Sequence, residues 1–204
     1  MKKLGNKAYS LIEVVVVVAI ISIITAGSIF GVGALIGWKA RQFADELVSV
    51  VREVKTDSMG KDAVVLVLSH DSDNYYSQKK ISEYTVSGGA LDKTTYSDTK
   101  TYEKNVLGKT NNLTVTITLR EKEHFSDGSG TVLTYDLKSI NNIAIGFERS
   151  SGSFKYVIIN DDETYTKDEA NNVKKMYLYS ITVKQGSKEK VVRFEQLTGQ
   201  AFEE

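Results

Sequence analysis

At 204 residues the chain is long enough for one ordinary domain plus an appendage, and its 26 Lys+Arg against 26 Asp+Glu leave no net charge to draw it to nucleic acid or anionic lipid. It contains no cysteine, which excludes a disulfide framework, a zinc–thiolate site and a thiol nucleophile, and no proline, which excludes a long proline-rich linker. The charge is unevenly placed: Lys2, Lys3 and Lys7 precede the first apolar run with no acid among them.

From Leu11 to Ile36 the only formally charged residue is Glu13. A helix needs about 20 apolar residues to cross a bilayer, so this run predicts a membrane-spanning helix. The segment Val14–Val18 is a poor helix former in water, because β-branched side chains lose rotamer freedom. In lipid the backbone has no other hydrogen-bond partners, and that enforces the helix. Trp38 stands where an interfacial aromatic belongs, followed by Lys39 and Arg41. Ala40, Phe43, Ala44, Leu47, Val51 and Val54 then recur at helical spacing among charged residues, an amphipathic pattern. No proline or turn cluster separates the two patterns. The sequence therefore predicts one helix from about Tyr9 to Met59, stopped by Gly60. At 1.5 Å per residue it would run about 75 Å, too long for a single compact domain.

After Gly60 the pattern becomes strand-like. "AVVLVLSH" reads as a buried strand, and "LTVTITLRE" alternates apolar and hydroxyl residues at period two. "NYYSQKK", "ISEYTVS", "TVLTYDL", "NIAIGFER", "FKYVIIN", "KMYLYSITV" and "KVVRFEQ" are further candidates. Turn signals at Ser87-Gly88-Gly89, Asp127-Gly128, Ser151-Gly152 and Gln185-Gly186-Ser187 separate many of them, the last two as hairpins. "ALDKTTYSDTKTYEKNVLGKTNN" is polar and irregular and reads as loop. The fold class expected is α+β: a long N-terminal membrane-spanning helix packed on an antiparallel β-sheet domain, its amphipathic half covering one sheet face.

Few residues suggest chemistry. Gly27, Gly31, Gly33 and Gly37 form two small-xxx-small pairs, which suit close helix packing or the ordinary tolerance of membrane helices for glycine. "TAGS" (Thr25 to Ser28) has the look of a secretory cleavage site, but the apolar run continues through Ile36. His70 and His124 have no metal-ligand spacing and read as surface histidines. "HDSDN" and "NDDETYTKDEANN" collect carboxylates without the glycine turn and distal glutamate of a calcium loop. No nucleophile elbow, phosphate loop or triad pattern is present, so no catalytic, cofactor-binding or metal-ligating residue is assigned. The tyrosines, among them Tyr75, Tyr76, Tyr96, Tyr135, Tyr156, Tyr177 and Tyr179, suit strand packing. Stacking on a single-stranded nucleic acid would also want a positively charged groove.

Glu13 poses the sharper question, because a charge in hydrocarbon costs roughly 2.5–3.5 kcal/mol on insertion scales. Taken alone, an acid so near a helix end sits at the headgroup boundary. Its surroundings say more: "MKKLGNKA" is a short basic leader, followed by Tyr9, Ser10, Leu11, Ile12 and then Glu13. This resembles the class III signal peptide of type IV pilin-like proteins, with Ala8 in place of the usual glycine and Tyr9 in place of the usual phenylalanine. The tail "VVRFEQLTGQAF" is similar to the closing strand-and-glycine segment of H-type minor pseudopilins. The missing cysteine suits a Gram-positive source.

The resemblance implies cleavage after Ala8 by a prepilin peptidase on the cytoplasmic face, N-methylation of Tyr9, and assembly into a filament in which Glu13 neutralises a neighbour's Tyr9 ammonium. Residues 1–8 are then the leader, 9–38 the transmembrane half of the helix, 39–60 its amphipathic half, and 61–204 an extracellular β-rich domain. The implied partners are the peptidase, other pilin or pseudopilin subunits, a membrane assembly platform and membrane lipid, with no cofactor and no support for nucleic acid. The implied location is a single-pass cell membrane with the N-terminus cytoplasmic, then the filament surface. The implied role is structural and non-enzymatic, in a type IV pilus, competence or type II secretion-like filament. The alternative is an unprocessed, signal-anchored extracellular β domain for adhesion or sensing.

Overall fold

In the computed structural model the described residues are 11–35, 37–60, 64–81, 85–87, 90–92, 100–121, 130–160, 162–163, 165–167 and 173–204. The apolar run forms α1 (Leu11–Leu35) and the amphipathic segment α2 (Trp38–Gly60). The single helix expected from the sequence is therefore two. The break falls at Gly37, which adopts φ +95°, a left-handed conformation that only glycine reaches freely. Helix α2 buries Ala40, Phe43, Ala44, Leu47, Val50, Val51, Val54 and Ser58, the stripe predicted by its periodicity with two additions. It is described as far as Gly60, and residues 61–63, where the expected stop would show, lie outside the described residues.

Two antiparallel sheets share this helix. In the first, β1 (Val64–His70) lies between β2 (Asn74–Ile81) and β9 (Asn142–Phe147). Beyond β9 come β10 (Phe154–Ile159) and β11 (Asp162–Glu163), while β5 (Lys100–Thr101) and β6 (Asn105–Lys109) both pair with β2. In the second, β7 (Thr114–Glu121) and β13 (Val173–Gln185) form the centre. Flanking them are β8 (Val132–Asp136), β14 (Lys188–Glu195) and β15 (Gln200–Glu203), and β12 (Tyr165–Lys167) pairs with β13. A separate hairpin joins β3 (Thr85–Ser87) to β4 (Ala90–Asp92). The polar stretch read as loop thus contains β4, β5 and β6. Its β6 buries Leu107 and extends the sheet beside β2, a pairing that its own composition does not advertise.

One continuous core fills the space between α2 and both sheets. From the first sheet it takes Leu66, Leu68, Ile143 and Ile145, and from the second Ile117, Leu119, Leu178 and Ile181. The period-two pattern of "LTVTITLRE" is the cause of its share: Val115, Ile117 and Leu119 face inward, while Thr116 and Thr118 are only half-buried. A smaller cluster of Val65, Val67, Ala144, Tyr156 and Ile158 occupies the opposite face of the first sheet. There the Tyr156 ring lies across Gly146, its cross-strand partner, and a Cβ on Gly146 would overlap that ring.

Candidate assembly site on the N-terminal helix

Helix α1 has no polar face. From Leu11 to Thr25 its apolar side chains project into open space, from 49% exposed at Val14 to 83% at Leu11. An apolar surface on every side of a helix calls for burial against something else. Two of its hydroxyls bond within the helix: Ser22 Oγ donates to the Val18 carbonyl and Thr25 Oγ1 to that of Ile21, each at 2.7 Å. Glu13 stands in the first turn of α1 and is exposed. Ala8 and Tyr9, the expected processing pair, lie outside the described residues. Among the described residues no helix is long and apolar enough to cross a membrane.

Helix α2 is fastened to the domain on both flanks. On one side Lys79 of β2 bridges Glu53 and Asp57, the latter at 3.0 Å, and lies 4.9 Å from the Tyr102 ring centre. The bond to Glu53 raises the Lys79 pKa, against the opposing effect of burial. On the other flank Arg41 of α2 lies close enough to Glu203 of β15 for its charge to act on that carboxylate, which is itself paired with Lys190 of β14. The Lys190 bond is the main reason that the Glu203 pKa is lowered. Between the flanks Phe43 meets Tyr75 edge-on, with centroids 5.9 Å apart, and Tyr75 Oη donates to the Leu113 carbonyl at 3.1 Å. The Ser58 hydroxyl lies within hydrogen-bond distance of both Val54 O (2.8 Å) and Val64 O (3.0 Å), tying α2 to β1.

The start of α2 is held by residues that sequence reasoning passed over. Gln185 Oε1, at the end of β13, accepts from the backbone N–H of Gly37 at 3.2 Å and of Lys39 at 3.0 Å. Gly186-Ser187 closes the β13–β14 hairpin, with Gln185 opposite Lys188. A Cβ on Gly37 would come within 2.9 Å of Lys188 Cβ. The sequence marks this place only as a turn signal and a glycine, and neither predicts that they meet.

The remaining residues singled out by sequence have local roles. His70 places its two ring nitrogens 3.2 Å from Asp71 O and 3.1 Å from Ile140 O, bridging the β1–β2 turn to the segment before β9. In "HDSDN", Asp71 Oδ1 accepts from the Asp73 and Asn74 amides and Oδ2 from the Tyr76 hydroxyl at 2.6 Å, so this carboxylate shapes a turn. Tyr75 and Tyr156 are buried, and Tyr179 stacks between the guanidinium groups of Arg120 and Arg193, each 4.4 Å from its ring centre. His124, Tyr96 and much of "NDDETYTKDEANN" lie outside the described residues.

The described side chains of α1 from Leu11 to Thr25 are exposed and mostly apolar, with an acid in the first turn, and the helix leads into an α+β body. Residues 3–29 match the family model described as the prokaryotic N-terminal methylation motif. That is the prepilin leader signature of type IV pilin-like proteins, and this chain carries it; the match includes Ala8, Tyr9 and Glu13 and leaves the β domain uncovered. The motif implies processing by a prepilin peptidase and assembly with other pilin subunits. No curated protein and no solved structure matches the chain.

Proposed function

We propose that this protein is a minor pilin or pseudopilin, a structural rather than catalytic subunit of a type IV filament system serving a pilus, DNA uptake or secretion. The observation that carries the reading is the methylation motif over residues 3–29, which runs into an exposed helix whose described side chains are apolar apart from Glu13, Ser22 and Thr25. The run Leu11–Ile36 supports a single membrane span, and the lysines at positions 2, 3 and 7 support a cytoplasmic N-terminus. Hydrolysis of the Ala8–Tyr9 peptide bond leaves a carboxylate on the leader and a free amine on Tyr9, which is then N-methylated.

Glu13 lies four residues beyond Tyr9, a separation that in a helix amounts to about one turn. Among parallel packed helices its carboxylate meets the Tyr9 ammonium of the next subunit. Either charge left alone in an apolar bundle costs several kcal/mol, so the pair sets the axial register. The body formed by α2 and the two sheets then decorates the filament surface.

N-terminal mass spectrometry of the protein isolated from its native membrane tests the reading. The expected mature chain begins with N-methylated Tyr9. A chain that keeps Met1–Ala8 makes this an unprocessed anchored domain, and one that begins near Gly27 removes the pilin reading altogether.

A further inference from the structure

We propose that Gln185 is a positioning residue for the N-terminal helix: its carboxamide oxygen stands in for two helix carbonyls and latches a kink at Gly37, which straightens into one continuous α1–α2 rod when Gln185 lets go. The use of such a joint in assembly rests on the function proposed above; the joint itself does not.

The argument starts from backbone hydrogen bonds. An α-helix that begins afresh leaves its first four N–H groups without intrahelical acceptors. Helix α2 begins afresh at Gly37, whose carbonyl accepts the first intrahelical bond, from Arg41 N at 3.0 Å. Two of the four orphaned donors, Gly37 N–H and Lys39 N–H, converge on the single oxygen Gln185 Oε1. In an uninterrupted helix the same two donors would bond Gly33 O and Leu35 O, their partners four residues back. Straightening therefore exchanges Gln185's two hydrogen bonds for two intrahelical ones, without stranding a buried donor.

The backbone permits the exchange as well. Glycine occupies φ +95° and the helical region with similar ease, so neither state is strained at position 37. The kinked state also gains contact between Gly37 and the Lys188 side chain, possible only because no Cβ intervenes. The straight state gains intrahelical bonds for Trp38 and Ala40. Two arrangements so closely balanced form a bistable element, which a modest difference in surroundings can tip.

The chain contains no cysteine, so paired spin labels can be placed without background. Ser22→Cys and Ser49→Cys put labels on exposed positions of α1 and α2. In a continuous helix those positions stand about 40 Å apart along the axis. Pulsed electron paramagnetic resonance on the full chain in phosphatidylcholine nanodiscs is expected to give a shorter distance. Adding Gln185→Ala should move the population to about 40 Å, and so should Gly37→Ala, which crowds Lys188 and disfavours positive φ. Gln185→Glu keeps an acceptor oxygen and should restore the shorter distance, separating loss of the latch from general damage to the hairpin. A parent chain already at about 40 Å overturns the proposal, as does a Gln185→Ala distance identical to the parent's. Because the measurement needs neither a filament nor leader cleavage, it tests the joint by itself: a native chain found to keep its leader would remove the assembly reading and leave a shifted distance standing.

Discussion

Tyr75→Phe isolates one buried hydroxyl beneath α2. The side chain is fully buried, with its ring against Phe43 and its hydroxyl donating to Leu113 O. Removing the oxygen leaves that carbonyl without its donor, a loss of about 1–3 kcal/mol at neutral pH. The alkaline range gives a sharper signature. Burial, reinforced by the charge of Asp136, pushes the Tyr75 phenol up to about 12, against about 10 in an unfolded chain. The folded protein keeps this proton where the unfolded chain has lost it. The stabilisation is therefore complete below pH 10 and disappears as pH rises through the folded value. Two pKa units correspond to about 2.7 kcal/mol. Urea unfolding followed by circular dichroism, in one detergent from pH 8 to pH 12, should show the parent more stable at pH 8 and its advantage vanishing by pH 12. Other alkaline titrations, Lys79 among them, are common to both proteins and cancel in the difference. A gap between parent and variant that stays constant from pH 8 to pH 12 would refute the account of this residue.

Glu13→Gln keeps the shape and removes the charge, so membrane levels and leader cleavage should be normal while incorporation into filaments falls; immunoblots of membrane and sheared-filament fractions read both, and normal incorporation ends the charge-pairing idea. Among the described residues the buried Ser77 hydroxyl has no hydrogen-bond partner, so Ser77→Ala should raise stability by about 1 kcal/mol in urea titration. Gly146→Ala forces a methyl group into the Tyr156 ring and should cost about 1–3 kcal/mol, whereas the double variant Gly146→Ala/Tyr156→Leu should recover part of it. Asp71 has its pKa lowered chiefly by the Tyr76 hydroxyl and the two turn amides. Its contribution is present above the unfolded value and is lost as pH falls through the folded one, so Asp71→Ala should flatten the stability profile below about pH 4.

Much of the fold can be read directly because its signals are local. The inward stripe of α2 follows from apolar spacing, and "AVVLVLSH", "LTVTITLRE" and "FKYVIIN" become β1, β7 and β10 because each carries its own hydrophobic pattern. The prepilin leader signature is legible for a different reason: the motif is contiguous. What escapes the sequence depends on meetings between distant segments. The helix break is one case, because Gly37 looks like any glycine in an apolar run until Gln185 arrives from the far end of the chain. Strand β6 is another, since "NVLGK" is too polar and short to announce itself and is defined by the free edge of β2. The division of the strands into two sheets is a third. Alternation reveals which side chains point inward but not which of two facing sheets a strand joins.

Helix α2 packs against β14 and β15, strands that follow it at a long distance in the sequence. During synthesis the helix therefore emerges long before the strands that enclose it. Phe43, Leu47 and Val51 must wait, uncovered, while both sheets are made. Such widely separated pairing slows folding and prolongs the interval in which apolar surface is open to wrong partners. Strands β14 and β15 thus complete the enclosure of a helix made long before them.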